Sequence, residues 1–188
     1  ALPLLAIGAA FDAQNLGFGL FNQLGLPFWA EFILVILILD FFIWLQHLLT
    51  HKIEFLWRIH RVHHSDTEMD VSTAIRFHPI EIALSMALKI SLVYALGADP
   101  LSVLIFEILL NGSSIFNHAN INIPNRIDKI VRFLIVTPDM HRIHHSSDRI
   151  EHDTNFGFAL SIWDHIFQTY KSHPERDHKE MEIGLIWQ

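Results

Sequence analysis

The chain contains no cysteine, and only 18% of its 188 residues are charged, against about 25% in an ordinary soluble domain. The first absence excludes a disulfide scaffold, a thiolate zinc finger and an iron–sulfur protein, all of which need thiols. Positive charge is scarce too: 13 Lys+Arg stand against 20 Asp+Glu, a net charge of −7. That sign repels phosphate and argues against a nucleic-acid partner. Apolar residues make up 51% of the chain, too many for a disordered segment. One polar type is in excess. There are 14 histidines, more than the lysines or the arginines taken singly. What remains is a membrane or very apolar helical protein rich in imidazole. The first residue is Ala1, inside an apolar run, so a fragment or processed form of a longer protein is expected.

The clearest apolar run covers residues 28–49. At 1.5 Å per residue it makes about 33 Å of helix, enough to cross a hydrocarbon core, and places a span at 28–50. Two further runs, 80–98 and 101–116, flank Gly97-Ala98-Asp99-Pro100. Gly followed by Pro is a turn signal, so residues 80–117 read as a helical hairpin. Lys89 and Glu107 lie at similar depth on its two arms, and an isolated charge there is costly. A Lys89–Glu107 ion pair is expected, the alternative being a lysine that snorkels to an interface. Residues 1–27 read as part of an N-terminal span followed by a glycine-rich loop or re-entrant stretch over 12–27. Residues 51–79 and 118–188 form a cap outside the spans, with 171–182 as a solvated, tail-like stretch. The whole chain is one domain.

The histidines are not scattered. His60-Arg-Val-His-His-Ser65 recurs as His141-Arg-Ile-His-His-Ser146. On a helix, positions i, i+3 and i+4 share a face, so each HxxHH aligns three imidazoles. Thr137-Pro138-Asp139 is a helix start just before the second. His47 and His51 form an i, i+4 pair where the first span ends. His78 lies where the second span enters, and His118 where the third returns. If each run crosses once, His47, His51, His60, His63, His64, His78, His118, His141, His144 and His145 all reach one membrane border. Twelve of the thirteen Lys+Arg lie on that side, which the positive-inside rule makes cytoplasmic. His152, His165, His173 and His178 fall in the polar C-terminal part, and His165 reads as structural.

A lone histidine on an apolar face is usually a satisfied core residue. Ten at one border are a different case, because crowded imidazoles lack donors for their lone pairs and repel one another once protonated. A metal removes both problems. Ten neutral ligands suit two ions with about five each, and neighbours within each HxxHH, about 100° apart around a helix, can face different ions. Imidazole alone does not choose among Zn, Cu, Fe and Ni.

The order HxxxH, HxxHH, Phe77-His78-Pro79, His118 after a hairpin, HxxHH, Asn155-Phe156-Gly157 and Trp163-Asp164 resembles the fatty acid hydroxylase / sterol desaturase superfamily. It is particularly similar to bacterial sterol desaturase family proteins. The resemblance implies two irons held by the histidine boxes, with zinc able to replace them in preparations. It implies O2 as co-substrate and hydroxylation or desaturation of an unactivated C–H of a lipid. An external electron donor, a reductase or small redox protein, is implied because no haem or flavin motif is present. The expected fold is all-α: a bundle of about four transmembrane helices, the first incomplete, under a cytosolic helical cap holding a dimetal site. A bacterial inner membrane is the expected location. Two other readings compete. One is a non-catalytic dimetal-binding subunit, supported by Ser114 where some relatives carry a further histidine. The other is a bis-histidine cytochrome, which needs histidines paired between spans at depth.

A ligating imidazole usually gives its other N–H to a carboxylate or carbonyl. Asp40, Asp139, Asp153 and Asp164 are the candidates to orient the ligands, each with a cap or surface charge as the alternative. Asn155 fits a turn better than a weak ligand. Arg61 and Arg142 hold equivalent repeat positions pointing away from the metal face, where they can meet lipid phosphates or carboxylates.

Overall fold

The computed structural model describes residues 2–178 and 180–185. Ala1 of the N-terminal run, Lys179 of the tail-like stretch and residues 186–188 lie outside them. Among the described residues every extended element is helical. Two isolated bridges, Ile135 with Leu160 and Ser146 with Ile183, are the only sheet-like pairings there.

Four segments are long and apolar enough to cross a membrane: Pro3–Leu24, Phe28–Lys52, Pro79–Leu96 and Pro100–His118. The first is bent. Helix α1 (Leu2–Leu16) ends at Gly17, and α2 (Leu20–Leu24) follows Gly19. The stretch 12–27, expected as a loop or re-entrant segment, is therefore mostly helix. The polar residues Asp12, Gln14 and Asn15 do not stop α1, because Ala9, Ala10 and Ala13 are buried and let it pack closely on the hairpin behind. A Cβ on Gly19 would stand 2.2 Å from the Gly97 amide nitrogen. The elbow of the first span thus locks backbone to backbone onto the hairpin turn.

Helix α3 (Phe28–Lys52) is 25 residues long. Glu31 near its start accepts a hydrogen bond from the Asp99 amide at 2.8 Å, which explains an acid at that end of the span. Helix α5 (Pro79–Leu96) stops at Gly97, in the left-handed region at φ 64. Asp99 caps α6 (Pro100–His118) by accepting from the amides of Leu101 and Ser102. Proline opens both arms, at the position where a missing N–H costs nothing. Midway along the hairpin Lys89 Nζ meets Glu107 Oε1 at 2.6 Å, both side chains buried. The expected ion pair is present. Val35, Leu39, Met86, Val93, Val103 and Phe106 fill the space between the spans. Outward-facing Ile33, Leu34, Leu84, Leu104 and Ile108 are exposed. A bundle apolar outside as well as inside has lipid as its solvent.

The cap comprises α4 (Glu54–His60), short 3-10 turns at His63–Ser65 and Thr73–Ile75, α7 (Asn125–Val131), α8 (Pro138–His144), α9 (Arg149–His152) and α10 (Ile162–Ile166). It departs from expectation in three ways. The first HxxHH is not one helix, since α4 ends at His60 and a turn re-aims His63 and His64. The segment around α10 does not stay clear of the spans. Trp163 Nε1 donates to Asp40 Oδ2 at 2.9 Å, and Trp44 Nε1 donates to Asp164 Oδ1 at 3.0 Å. It therefore descends beside α3 to Asp40, about 18 Å of helix from Lys52. The tail-like stretch is also tied down. The Ser147 amide donates to the Glu182 carbonyl, the Gly184 amide to the His145 carbonyl, and Glu175 N to Glu151 Oε1.

Candidate metal centre

The histidine ends of α3, α5 and α6 meet α4 and α8 at one end of the bundle. Helix α3 delivers His47 and His51 one turn apart. Helix α4 ends on His60, and the following turn presents His63 and His64. Helix α6 ends on His118. Helix α8 is capped by Thr137, whose hydroxyl accepts from the Met140 amide. It carries His141 and His144, with His145 at its C-cap.

Nine of the ten expected histidines come together in two groups. His47, His51, His60, His64 and His144 each offer one nitrogen, all within 4.8 Å of one another. His63, His118, His141 and His145 do the same beside them. Each HxxHH is split between the groups: His60 and His64 go one way and His63 the other, while His144 parts from His141 and His145. The two groups are in contact, with the rings of His64 and His145 stacked at 4.5 Å.

His78 is not with them. Its Nδ1 accepts a hydrogen bond from the Ile80 amide at 3.2 Å. Before the proline that opens α5, this imidazole caps a helix instead of facing the cluster. Ser114 supplies its carbonyl, which accepts from His118 Nδ1 at 2.6 Å.

The hydrogen bonds set the tautomers. A carbonyl can only accept, so an imidazole nitrogen beside one must carry the proton. His47 Nδ1 donates to the Phe156 carbonyl at 2.7 Å, and His144 Nδ1 to the Thr154 carbonyl at 2.8 Å. His60 Nδ1 pairs with Glu81 Oε1 at 2.6 Å. The Nε2 lone pairs of His47, His60 and His144 are thereby left facing inward, buried and without a hydrogen-bond partner among the described residues. His64 Nε2 and both nitrogens of His51 and His145 are equally unpartnered. In the second group, His63 Nε2 and His141 Nε2 each lie 3.1 Å from His118 Nε2. Burial, followed by repulsion from neighbouring imidazoles, holds His63, His64, His141, His144 and His145 well below the usual histidine range. These rings are neutral at physiological pH, the form that binds a cation. Unpartnered buried lone pairs converging on common points are what a bound metal ion would satisfy. The donor set fits two ions, one per group.

The candidate orienting acids behave differently from expectation. Asp40 accepts from Trp163 Nε1 and the Leu160 amide and touches no histidine. Asp139 pairs with Arg142, and Asp153 with Lys52. Their charges are spent on neighbouring cations. Asn155 is a turn residue at φ 55, bonded to the Met140 and Lys171 carbonyls. Asp164 acts at one remove. Wholly buried, it accepts from the amides of Phe156 and Gly157, from Trp44 Nε1 and from Thr169 Oγ1. It fixes the loop whose Phe156 carbonyl receives the proton of His47. Arg61 is exposed, and His165 packs against Tyr170 and Phe133, away from the cluster.

Two residues went unrecognised in the sequence. Glu81 orients His60, and its position in the first turn of a span, close after Phe77-His78-Pro79, was the available signal. His152, assigned to the polar C-terminal part, is buried with its ring stacked on Trp57 and 5.6 Å from His51. Beside the first group a cavity of about 310 Å³ opens between α3, α5 and α6, with His47 and His60 in its wall.

Comparison with known proteins agrees with this geometry. The fatty acid hydroxylase family profile matches residues 32–169. An ornithine lipid hydroxylase of Rhizobium tropici is 32% identical over 161 residues, covering 85% of this chain and 46% of that protein. The alkylglycerol monooxygenase of Homo sapiens is 28% identical over 142 residues, 73% of this chain and 30% of that protein. The cholesterol 25-hydroxylase of Homo sapiens is 28% identical over 147 residues, 75% of this chain and 50% of that protein. The chain thus spans half or less of the length of these relatives. No solved structure matches it.

Proposed function

Because the chain belongs to the fatty acid hydroxylase family, we propose that it is an O2-dependent lipid hydroxylase with two irons held by nine histidines. The observation that carries this reading is the pair of buried imidazole groups, one of them opening on a cavity between spans. His47, His51, His60, His64 and His144 would hold one ion, and His63, His118, His141 and His145 the other. The named relatives are hydroxylases and monooxygenases, which favours oxygen insertion over desaturation. The lipids in their names share an apolar body, so a membrane lipid is the substrate class.

Two bound irons would supply the one-electron chemistry by which O2 oxidises an unactivated C–H bond. The protein's own contribution is positional. Glu81 and the carbonyls of Phe156, Thr154 and Ser114 hold imidazole N–H groups and aim the opposite nitrogens. The cavity seats the lipid beside the first group, and burial keeps bulk water away. One oxygen atom goes into the lipid and the other leaves as water, so each turnover takes up two electrons and two protons. A reductase or small redox protein is the proposed donor. The excess of Lys+Arg on the histidine side supports a cytoplasmic metal centre, and the Rhizobium relative supports a bacterial inner membrane.

Anaerobic reconstitution with Fe(II) should load about two ions per chain. Admitting O2 and a reductant in the presence of membrane lipid extract should then give a product 16 mass units heavier. The paired substitution His63→Ala and His144→Ala removes one ligand from each group and should abolish both results. Retained oxygenation in that variant would overturn the assignment.

A further inference from the structure

The cavity is not lined as a plain hydrocarbon slot. One end is at His47, His60 and Glu81, and the other at Lys89, Glu107 and Asn111. Glu81 and Lys89 are eight residues apart on α5, about 12 Å of helix rise. The inner polar group therefore sits deep in the span, well below the histidines. Lys89 and Glu107 are 6% and 3% exposed.

Packing does not call for charges here. A buried ion pair is commonly no more stabilising than apolar side chains of the same volume, and the residues flanking the pair in sequence, Leu88, Ile90, Phe106 and Ile108, are apolar. The pair faces the cavity instead of lipid. Its own bonds also leave capacity. An ammonium has three donors, and Glu107 Oε1 takes one at 2.6 Å. Asn111 Nδ2 donates to the Glu107 carbonyl at 2.7 Å and lies 3.4 Å from Glu107 Oε2. The glutamate is thus engaged on both oxygens while the lysine keeps donors to spare.

Charge decides the class of ligand. Lys89 and Glu107 sum to zero, so a bound carboxylate, phosphate or ammonium would bring an uncompensated charge to membrane depth. A hydroxyl, ester or amide can accept from the ammonium without disturbing that balance. We infer that the inner end of the cavity, at Lys89, Glu107 and Asn111, binds an uncharged hydrogen-bonding group of the lipid. That contact sets which carbon reaches the histidine end. The inference rests on the cavity being the lipid site, and its test does not need turnover.

The full chain is loaded with redox-inert zinc and titrated in detergent micelles with hexadecane, 1-hexadecanol and hexadecanoate, with binding read by native mass spectrometry. One hydrogen bond to a charged donor is worth about tenfold or more in affinity. The alcohol should bind at least about tenfold tighter than the alkane and than the carboxylate. The double variant Lys89→Met, Glu107→Leu removes both charges at similar volume and should bind alcohol and alkane alike, while still holding two zinc ions. Equal binding of alcohol and alkane by the wild-type chain, tighter binding of the carboxylate, or a variant that keeps the alcohol preference would each overturn the inference. The wild-type comparison decides the matter even if the variant does not fold. A chain that prefers the alcohol but never oxygenates lipid would overturn the proposed function and leave this site standing.

Discussion

Replacing Asp164 by Asn should cost the chain one metal ion and leave the other. The carboxylate is wholly buried and accepts four hydrogen bonds, at 2.6 to 3.0 Å, from Trp44, Phe156, Gly157 and Thr169. An amide has nearly the same shape but keeps one acceptor oxygen and turns an NH2 toward donors. Three of the four donors bond Oδ1 and only the Gly157 amide bonds Oδ2, so an amide with its oxygen in the Oδ1 place strands that one N–H, at about 1–3 kcal/mol. The stranded amide is next in sequence to Phe156, and a loop destabilised there by about 1–3 kcal/mol no longer holds the Phe156 carbonyl firmly on His47 Nδ1. Losing such an orienting partner typically weakens metal binding about 10–100-fold. The effect belongs to the first group, because the second takes its fixed contact from the Ser114 carbonyl on α6. Zinc titration against a chromophoric chelator, with metal content measured per chain, reads both sites. Wild type should hold two tight ions. Asp164→Asn should hold one, with the second weakened about 10–100-fold. Two unchanged affinities would refute the claim that this loop aims His47, and equal loss of both ions would show that Asp164 supports the whole cap instead.

Three further outcomes follow from the same contacts. Lys89→Met alone strands Glu107 in the bundle and should lower stability by about 3–5 kcal/mol, while adding Glu107→Leu should recover most of it; thermal unfolding in detergent checks both. Metal-free protein should lose stability in mild acid. His63, His64, His141, His144 and His145 have folded pKa values well below the ordinary one. The unfolded chain therefore binds more protons below about pH 6.5, and stability falls there by up to about 1.4 kcal/mol per pH unit for each ring; metal-loaded protein should resist to lower pH. Since the chain has no cysteine, a single Ile166→Cys carries one fluorophore, and packing of this segment beside α3 predicts quenching by spin-labelled lipid but not by aqueous iodide.

The spans and the clustering histidines were legible because their signals are local. Length and hydropathy mark a span, and i, i+4 spacing marks a face. The hairpin pair could be read because turn position fixes the depth of both arms. What sequence could not supply was the identity of hydrogen-bond partners. The groups that orient His47, His118 and His144 are main-chain carbonyls of Phe156, Ser114 and Thr154, and every residue has a carbonyl. The acids that stand near the histidine boxes in sequence, Asp40, Asp139 and Asp153, are instead bound to a tryptophan, an arginine and a lysine. His78 misled for the same kind of reason. A histidine at a span entrance can face a metal or cap the helix, and Ile80 N decides between them. The bend at Gly17–Gly19 and the ordered tail both arise from contacts between distant segments, which spacing does not encode.

The repeated HxxHH is better understood as a way of joining two unlike sites than as two copies of one. Because adjacent histidines point apart, each repeat contributes to both groups, and neither group is drawn from one repeat alone. The groups then differ in what surrounds them. The first has orienting contacts from Glu81, Phe156 and Thr154, and two of its members, His47 and His60, stand in the cavity wall. The second is enclosed by His63, His118, His141 and His145, and none of these four lines that cavity among the described residues. Contact with anything seated in that cavity therefore runs through the first group, while the second is reached through the shared backbone of α8 and the turn after α4. An arrangement of this kind makes the position of His60 the most constrained in the cluster. It must end a cap helix, meet a carboxylate from a span, face its group and border the cavity at once. Only a chain that fixes α4 against α5 satisfies all four, which is why the first HxxHH breaks from helix immediately after it and the second does not.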